Sequence, residues 1–209
     1  MKKLYFNPWI GKNYSDGFLG KRILVLGESH YCANVNDAQQ SLTQEIIRDL
    51  LDPNSAHEPY KNTYLKFEHA LAGKKLDFTE RAELWNKIAF YNFIQEPLSG
   101  PREAPNRELF LRGEEPFFEV VNKLSPDVIL VWGKRLYENL PQKGEQLPDI
   151  LMEDMSSIEC WSYTSESGVT ALVLPMCHPS AAFSTDYWHE AISKAIENAS
   201  TKLGTGKKD

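Results

Sequence analysis

Four short apolar runs, at residues 22–26, 87–93, 127–132 and 171–174, are spaced along the chain with helix-patterned segments between them. Each is dense in Ile, Leu, Val, Ala or Phe without strict polar alternation, the signature of a strand buried on both faces. Buried strands alternating with helices fit a parallel sheet joined by right-handed crossovers. The expected fold is therefore α/β: a three-layer α/β/α sandwich with a central, mainly parallel four-stranded sheet. Residues 1–209 read as one domain, because no internal repeat, low-complexity stretch or linker divides them. From about residue 200 the sequence turns polar, and a flexible tail is expected.

The intervening segments carry their own signals. Leu42, Ile46, Ile47, Leu50 and Leu51 share a helical face that stops before Pro53. Pro116 suits a first helical turn, with Phe117, Val120, Val121 and Leu124 following on one side. Trp188, Ala191, Ile192, Ala195, Ile196 and Ala199 form an apolar stripe behind Ser184, Thr185 and Asp186, which offer caps. Residues 99–116, carrying Pro101, Pro105 and Pro116, read as an extended loop, and so do residues 141–151. A further strand is expected near residues 159–163.

Charge and cysteine usage narrow the function classes. The net charge is −6, from 23 basic and 29 acidic residues. That balance counts against tight nonspecific DNA binding, which draws most of its affinity from phosphate contacts. No apolar run reaches the ~18 residues of a membrane span, and Met1-Lys2-Lys3-Leu4-Tyr5-Phe6-Asn7-Pro8 has no apolar signal core behind it. A cytoplasmic monomer without membrane contact is expected. Cys32, Cys160 and Cys177 are scattered with no C-x-x-C pair, so neither a disulfide framework nor a metal site is supported, and no cofactor is expected. Cys177 precedes His178, yet adjacent residues on an extended segment point to opposite faces, which argues against a cysteine nucleophile.

In an open parallel sheet, the carboxyl ends of the strands share one edge, where ligands bind. Here those ends deliver Gly27-Glu28-Ser29-His30-Tyr31, Asn92, Gly133-Lys134-Arg135 and His178-Pro179-Ser180. The set holds glycines that permit close approach, an amide with paired donor and acceptor, imidazoles, hydroxyls and an aromatic ring.

With these landmarks in order from about residue 20 to residue 185, the chain resembles the uracil-DNA glycosylase superfamily. Members carry a Gly-Gln-Asp-Pro-Tyr or Gly-Glu-Ala-Pro-Gly motif after the first strand, a base-reading Asn after the next, a strand ending in Gly, and a His-Pro-Ser motif. The resemblance implies a DNA glycosylase that hydrolyses the N-glycosidic bond of uracil or a related deaminated base in DNA. Its partner would be DNA containing such a base. His178 would donate to the uracil O2 side as negative charge collects on the departing base. Asn92 would read uracil O4 and N3–H, a pattern that cytosine reverses. Gly27, Glu28, His30, Tyr31 and Gly133 would line the base site, with Tyr31 at the position that blocks the thymine methyl. Ser180, Lys134 and Arg135 would meet phosphate, and Phe183 would be the wedge that fills the vacated stack.

Two departures stand out. Ser29 occupies the place where active members have Asp, or others Asn, to position the attacking water. A serine hydroxyl orients water but is no base near neutral pH. The iron–sulfur branch also lacks that acid, but its defining cysteines are absent here. His30 replaces the usual proline, either as a second imidazole for the site or as a solvated turn residue.

Each residue also has a plain structural reading: His178 as a strand-end cap, Asn92 as a satisfier of loop backbone, Tyr31 and Phe183 as core, Lys134 and Arg135 as a solvated first helical turn. Beside hydrolysis stand two alternatives. One is a catalytically weak or inactive relative that binds a base, nucleotide or nucleic acid in the same pocket. The other is an unrelated hydrolase or transferase on a similar fold.

Overall fold

The computed structural model describes residues 4–32, 34, 38–100 and 103–201. The four apolar runs become β2 (Ile23–Gly27), β3 (Ile88–Asn92), β4 (Val128–Trp132) and β7 (Thr170–Met176). Residue 23 pairs with both 88 and 128, and 128 pairs with 172, so the four lie side by side and parallel in the order β3-β2-β4-β7. Every residue of β2, β3 and β4 is buried, as strands covered on both faces require.

The sheet has seven strands rather than the expected four. Antiparallel β1 (Trp9–Ile10) adds to β3 on one side; β6 (Ser157–Thr164) and β5 (Glu145–Leu151) extend it beyond β7, giving the order β1-β3-β2-β4-β7-β6-β5. The strand expected near 159–163 is β6. β5 replaces an expected loop: among its residues only Ile150 is fully buried, Pro148 sits at a register shift, and pairing with β6 rather than apolar burial makes it a strand.

Six helices cover both faces. Ile23, Val25, Phe90, Leu130, Trp132 and Leu174 pack against α1 (Leu42–Leu50), α2 (Lys61–Ala72), α3 (Phe78–Trp85) and α6 (Thr185–Thr201). The alternate residues Leu24, Leu26, Tyr91, Val131 and Val173 pack against α4 (Arg107–Leu124) and α5 (Lys134–Glu138). α1 stops before Pro53 as its pattern requires, and Ser184 Oγ accepts from the Tyr187 amide at 3.3 Å to open α6. α6 runs through Thr201, and the rest of the expected tail, 202–209, lies outside the described residues.

α4 corrects a second expectation. Pro116 is not in its first turn but in its interior, and residues 107–116 are helix rather than loop. Asn106 starts the helix by accepting from the Leu109 amide at 3.0 Å. A mid-helix proline costs about 3 kcal/mol; burial of Phe110, Phe117, Val120 and Val121 opposes that cost. Gly113 lets α4 press on the strand end, for a Cβ there would stand 2.6 Å from the ring of Phe93.

α2 and α3 are tied by a buried carboxylate. Glu68 accepts from Arg81 Nε at 2.9 Å and Trp85 Nε1 at 3.2 Å. At the amino end of the sheet, Asp127 takes the Arg22 amide at 2.8 Å and its guanidinium at 2.9 and 3.1 Å. At the opposite end, residues 4–8 cross over the sheet edge. The Tyr5 and Phe6 amides both donate to Gln95 Oε1 at 2.9 Å, and the Asn7 amide donates to the Gln40 carbonyl at 2.8 Å.

Candidate active site

The parallel register brings the expected residues to one edge. Gly27 pairs with Asn92, and Trp132 pairs with Met176, so Gly133 and His178 leave the sheet side by side. From β2 the chain goes outward to β3 and later returns to β4 on the other side. The β2–β4 boundary is thus the switch point at which open α/β sheets hold ligands. Asn92 and His178 lie on the same face, the one covered by α1, α2 and α6. Asn92 contacts His30, which bonds Thr43 of α1, and His178 packs edge-on to Trp132 with ring centroids 6.0 Å apart. β2 and β4 separate them.

Asn92 is buried, at 4% exposure, and its amide lies across the end of β2. Its Oδ1 occupies the space a side chain on Gly27 would take, 2.1 Å from the Cβ position. Its Nδ2 lies 3.2 Å from Nδ1 and 3.1 Å from Nε2 of His30. His30 is no solvated turn residue: it is 3% exposed, bonds Thr43 Oγ1 through Nε2 at 2.7 Å, and meets the Phe6 ring edge-on. Burial lowers its pKa to about 4, so the imidazole is neutral at physiological pH. Gln95 Nε2 donates to the main-chain carbonyl of Asn92 at 2.7 Å and links the pair to residues 4–8.

His178 is half-buried. The Ser180 amide donates to its Nδ1 at 3.2 Å, with Ser180 Oγ 2.8 Å away. A backbone N–H has no other role, so Nδ1 is bare and the neutral ring carries its proton on Nε2. Burial is the main cause holding its pKa below the usual histidine range; Glu28 pulls it up and Arg135 pushes it down.

Glu28 and Arg135 span the switch point. Arg135 Nε donates to Glu28 Oε2 at 2.8 Å, and Nη2 bonds Oε1. The pair joins the segment after β2 to α5 beside His178, with Gly133 turning the chain at φ +102°. Tyr31 is neither core nor enclosed: it is 45% exposed, bridges Leu98 and stands near Arg135.

Other expected residues are held differently. Ser29 Oγ is buried with no hydrogen-bond partner among the described residues. Lys134 faces solvent and pairs with Glu138 at 3.5 Å. Phe183 stacks on Trp188, with centroids 6.0 Å apart, and packs against the core. Cys177 Sγ contacts the His178 and Ala182 carbonyls. Phe6, Thr43 and Gln95 belong to the site and were not anticipated. Two open grooves, of about 520 Å³ along α6 and about 170 Å³ beside α2, are lined by none of the strand-end residues. Among the described residues, no cluster of His, Cys, Asp or Glu is arranged to hold a metal, and no helix is long and apolar enough to cross a membrane.

A scan against protein-family models finds no match to this chain, and a search of curated proteins finds none either.

Proposed function

We propose that this chain is a divergent protein of the uracil-DNA glycosylase type, acting on uracil or a related deaminated base in DNA. One observation carries the reading. His178 has its Nδ1 occupied by the Ser180 amide, which leaves a neutral Nε2–H donor at the switch point. Cleavage of the N-glycosidic bond leaves charge on the base, and a fixed donor at its carbonyl oxygen lowers that barrier. Asn92 would meet the base on the β3 side, while Ser180, Lys134 and Arg135 line the solvent side where phosphates of flipped DNA would pass. The chemistry calls on fixed dipoles and needs no cofactor.

A second reading, a base- or nucleic-acid-binding relative without hydrolysis, is favoured by Ser29. Its hydroxyl is buried and has no water-facing side from which to hold a nucleophile.

Single- and double-stranded oligonucleotides bearing one uracil, incubated with excess protein and then treated with alkali, decide between them. Strand breaks at the uracil support hydrolysis. Binding without breaks supports the second reading, and neither binding nor breaks removes both.

A further inference from the structure

We infer that His30, itself held by Thr43, is a positioning residue that fixes which end of the Asn92 carboxamide faces the crevice. The inference rests on the base-binding reading above, and it concerns a residue that stands where the glycosylase pattern has proline.

The donors and acceptors decide the arrangement. A neutral imidazole has one N–H and one bare nitrogen. With the proton on Nε2, His30 donates to Thr43 Oγ1 at 2.7 Å and its bare Nδ1 accepts from Asn92 Nδ2 at 3.2 Å. Asn92 Nδ2 also lies 3.1 Å from Nε2, so it stands within reach of whichever ring nitrogen is bare. With the proton on Nδ1, the bare Nε2 accepts from the Thr43 hydroxyl and lies 3.1 Å from Asn92 Nδ2, so the amide nitrogen has an acceptor on the ring in either tautomer. All three residues are buried, so a mispaired group there is costly.

Once Nδ2 is committed to His30, Oδ1 is left over Gly27. Gly27 belongs to β2, which lies between β3 and β4, so the carbonyl is the end of the amide nearer His178. The crevice is thereby offered an acceptor, suited to a base edge that bears an N–H. Thr43 fixes His30 from α1, and Phe6 closes the other side of the ring at 4.7 Å.

Nitrogen-15 NMR of the full chain tests this. The His30 ring should be neutral, with one bare nitrogen that accepts from the Asn92 side chain. The Asn92 side-chain amide pair should shift in His30→Leu and in Thr43→Val, and return toward its original position in His30→Gln, whose carbonyl accepts in place of the ring nitrogen. An Asn92 pair unmoved by His30→Leu overturns the inference. Should His30→Leu fail to fold, Thr43→Val carries the same decision, since it exchanges a hydroxyl for a methyl of like size. Uracil titrated into the same samples separates the two ideas. Affinity reduced about tenfold in His30→Leu and regained in His30→Gln supports both. No binding of uracil to the unsubstituted chain overturns the base-binding reading, while the amide and ring signals still decide the role of His30.

Discussion

The carbonyl of Asn92 fills the space that a side chain on Gly27 would need. The two residues are register partners on β2 and β3, and the missing Cβ of one is the seat of the other. Gly27→Ala must therefore displace a buried amide that is already bonded. Overpacking combined with a strained hydrogen bond predicts a loss of about 2–3 kcal/mol, read as a lower urea midpoint at unchanged slope. An unchanged midpoint would show that the amide relaxes freely.

Stability should depend on pH through His30. Its folded pKa is about 4, against 6.5 for an unperturbed histidine. Between those values the unfolded chain binds the proton and the folded chain does not, so the contribution is complete above pH 6.5 and is lost as the pH falls toward 4. The full difference is about 3 kcal/mol. Urea titrations from pH 8 to pH 4 should show that the extra acid sensitivity of the unsubstituted chain disappears in His30→Gln. Parallel curves for the two proteins would contradict it.

The Glu28–Arg135 pair should tune His178 in opposite directions. Arg135→Gln removes a positive charge and should raise the His178 pKa; Glu28→Gln removes a negative charge and should lower it. Imidazole C–H shifts followed across the acid range report both. Movement in the same sense would mean that structural rearrangement, not charge, dominates.

If the chain hydrolyses uracil-containing DNA, His178→Ala should reduce the rate by about 10²–10³-fold with little change in DNA affinity. The neutral ring is the donor, so the rate should stay level through neutral pH and bend only in acid, below the usual histidine range. Single-turnover rates from pH 5 to pH 9 supply the comparison.

Glu68→Ala should be among the more damaging substitutions away from the site. It leaves the partly buried Arg81 guanidinium and the Trp85 indole N–H without their acceptor, and about 3–5 kcal/mol is expected. Thermal melts of Glu68→Ala beside Glu68→Gln would separate loss of charge from loss of the hydrogen bond.

The parallel strands were legible because each is apolar on both faces, a property contained in the run itself. Their shared edge followed at once, since parallel strands must deliver Gly27, Asn92, Gly133 and His178 to one side. β5 was hidden because its strand character comes from a partner, β6, rather than from its own residues. α4 reads as loop because Pro101 and Pro105 precede it and its own Pro116 and polar first half mask a helix that Asn106 starts and Phe110 anchors. α3 announces itself with the Asp77–Glu80 capping box, a signal open to a reader of the sequence. No such signal marks Phe6, Thr43 or Gln95. Their place beside His30 and Asn92 arises from packing between distant segments, and their residue types are ordinary.

Gly113 gives the edge a remote control. It is twenty-one residues beyond Asn92 on α4, yet the helix rests on Phe93, the residue immediately after that asparagine. A methyl group at position 113 would press on the aromatic ring next to Asn92, so that the seating of this strand end is gauged from outside by a residue on a separate helix.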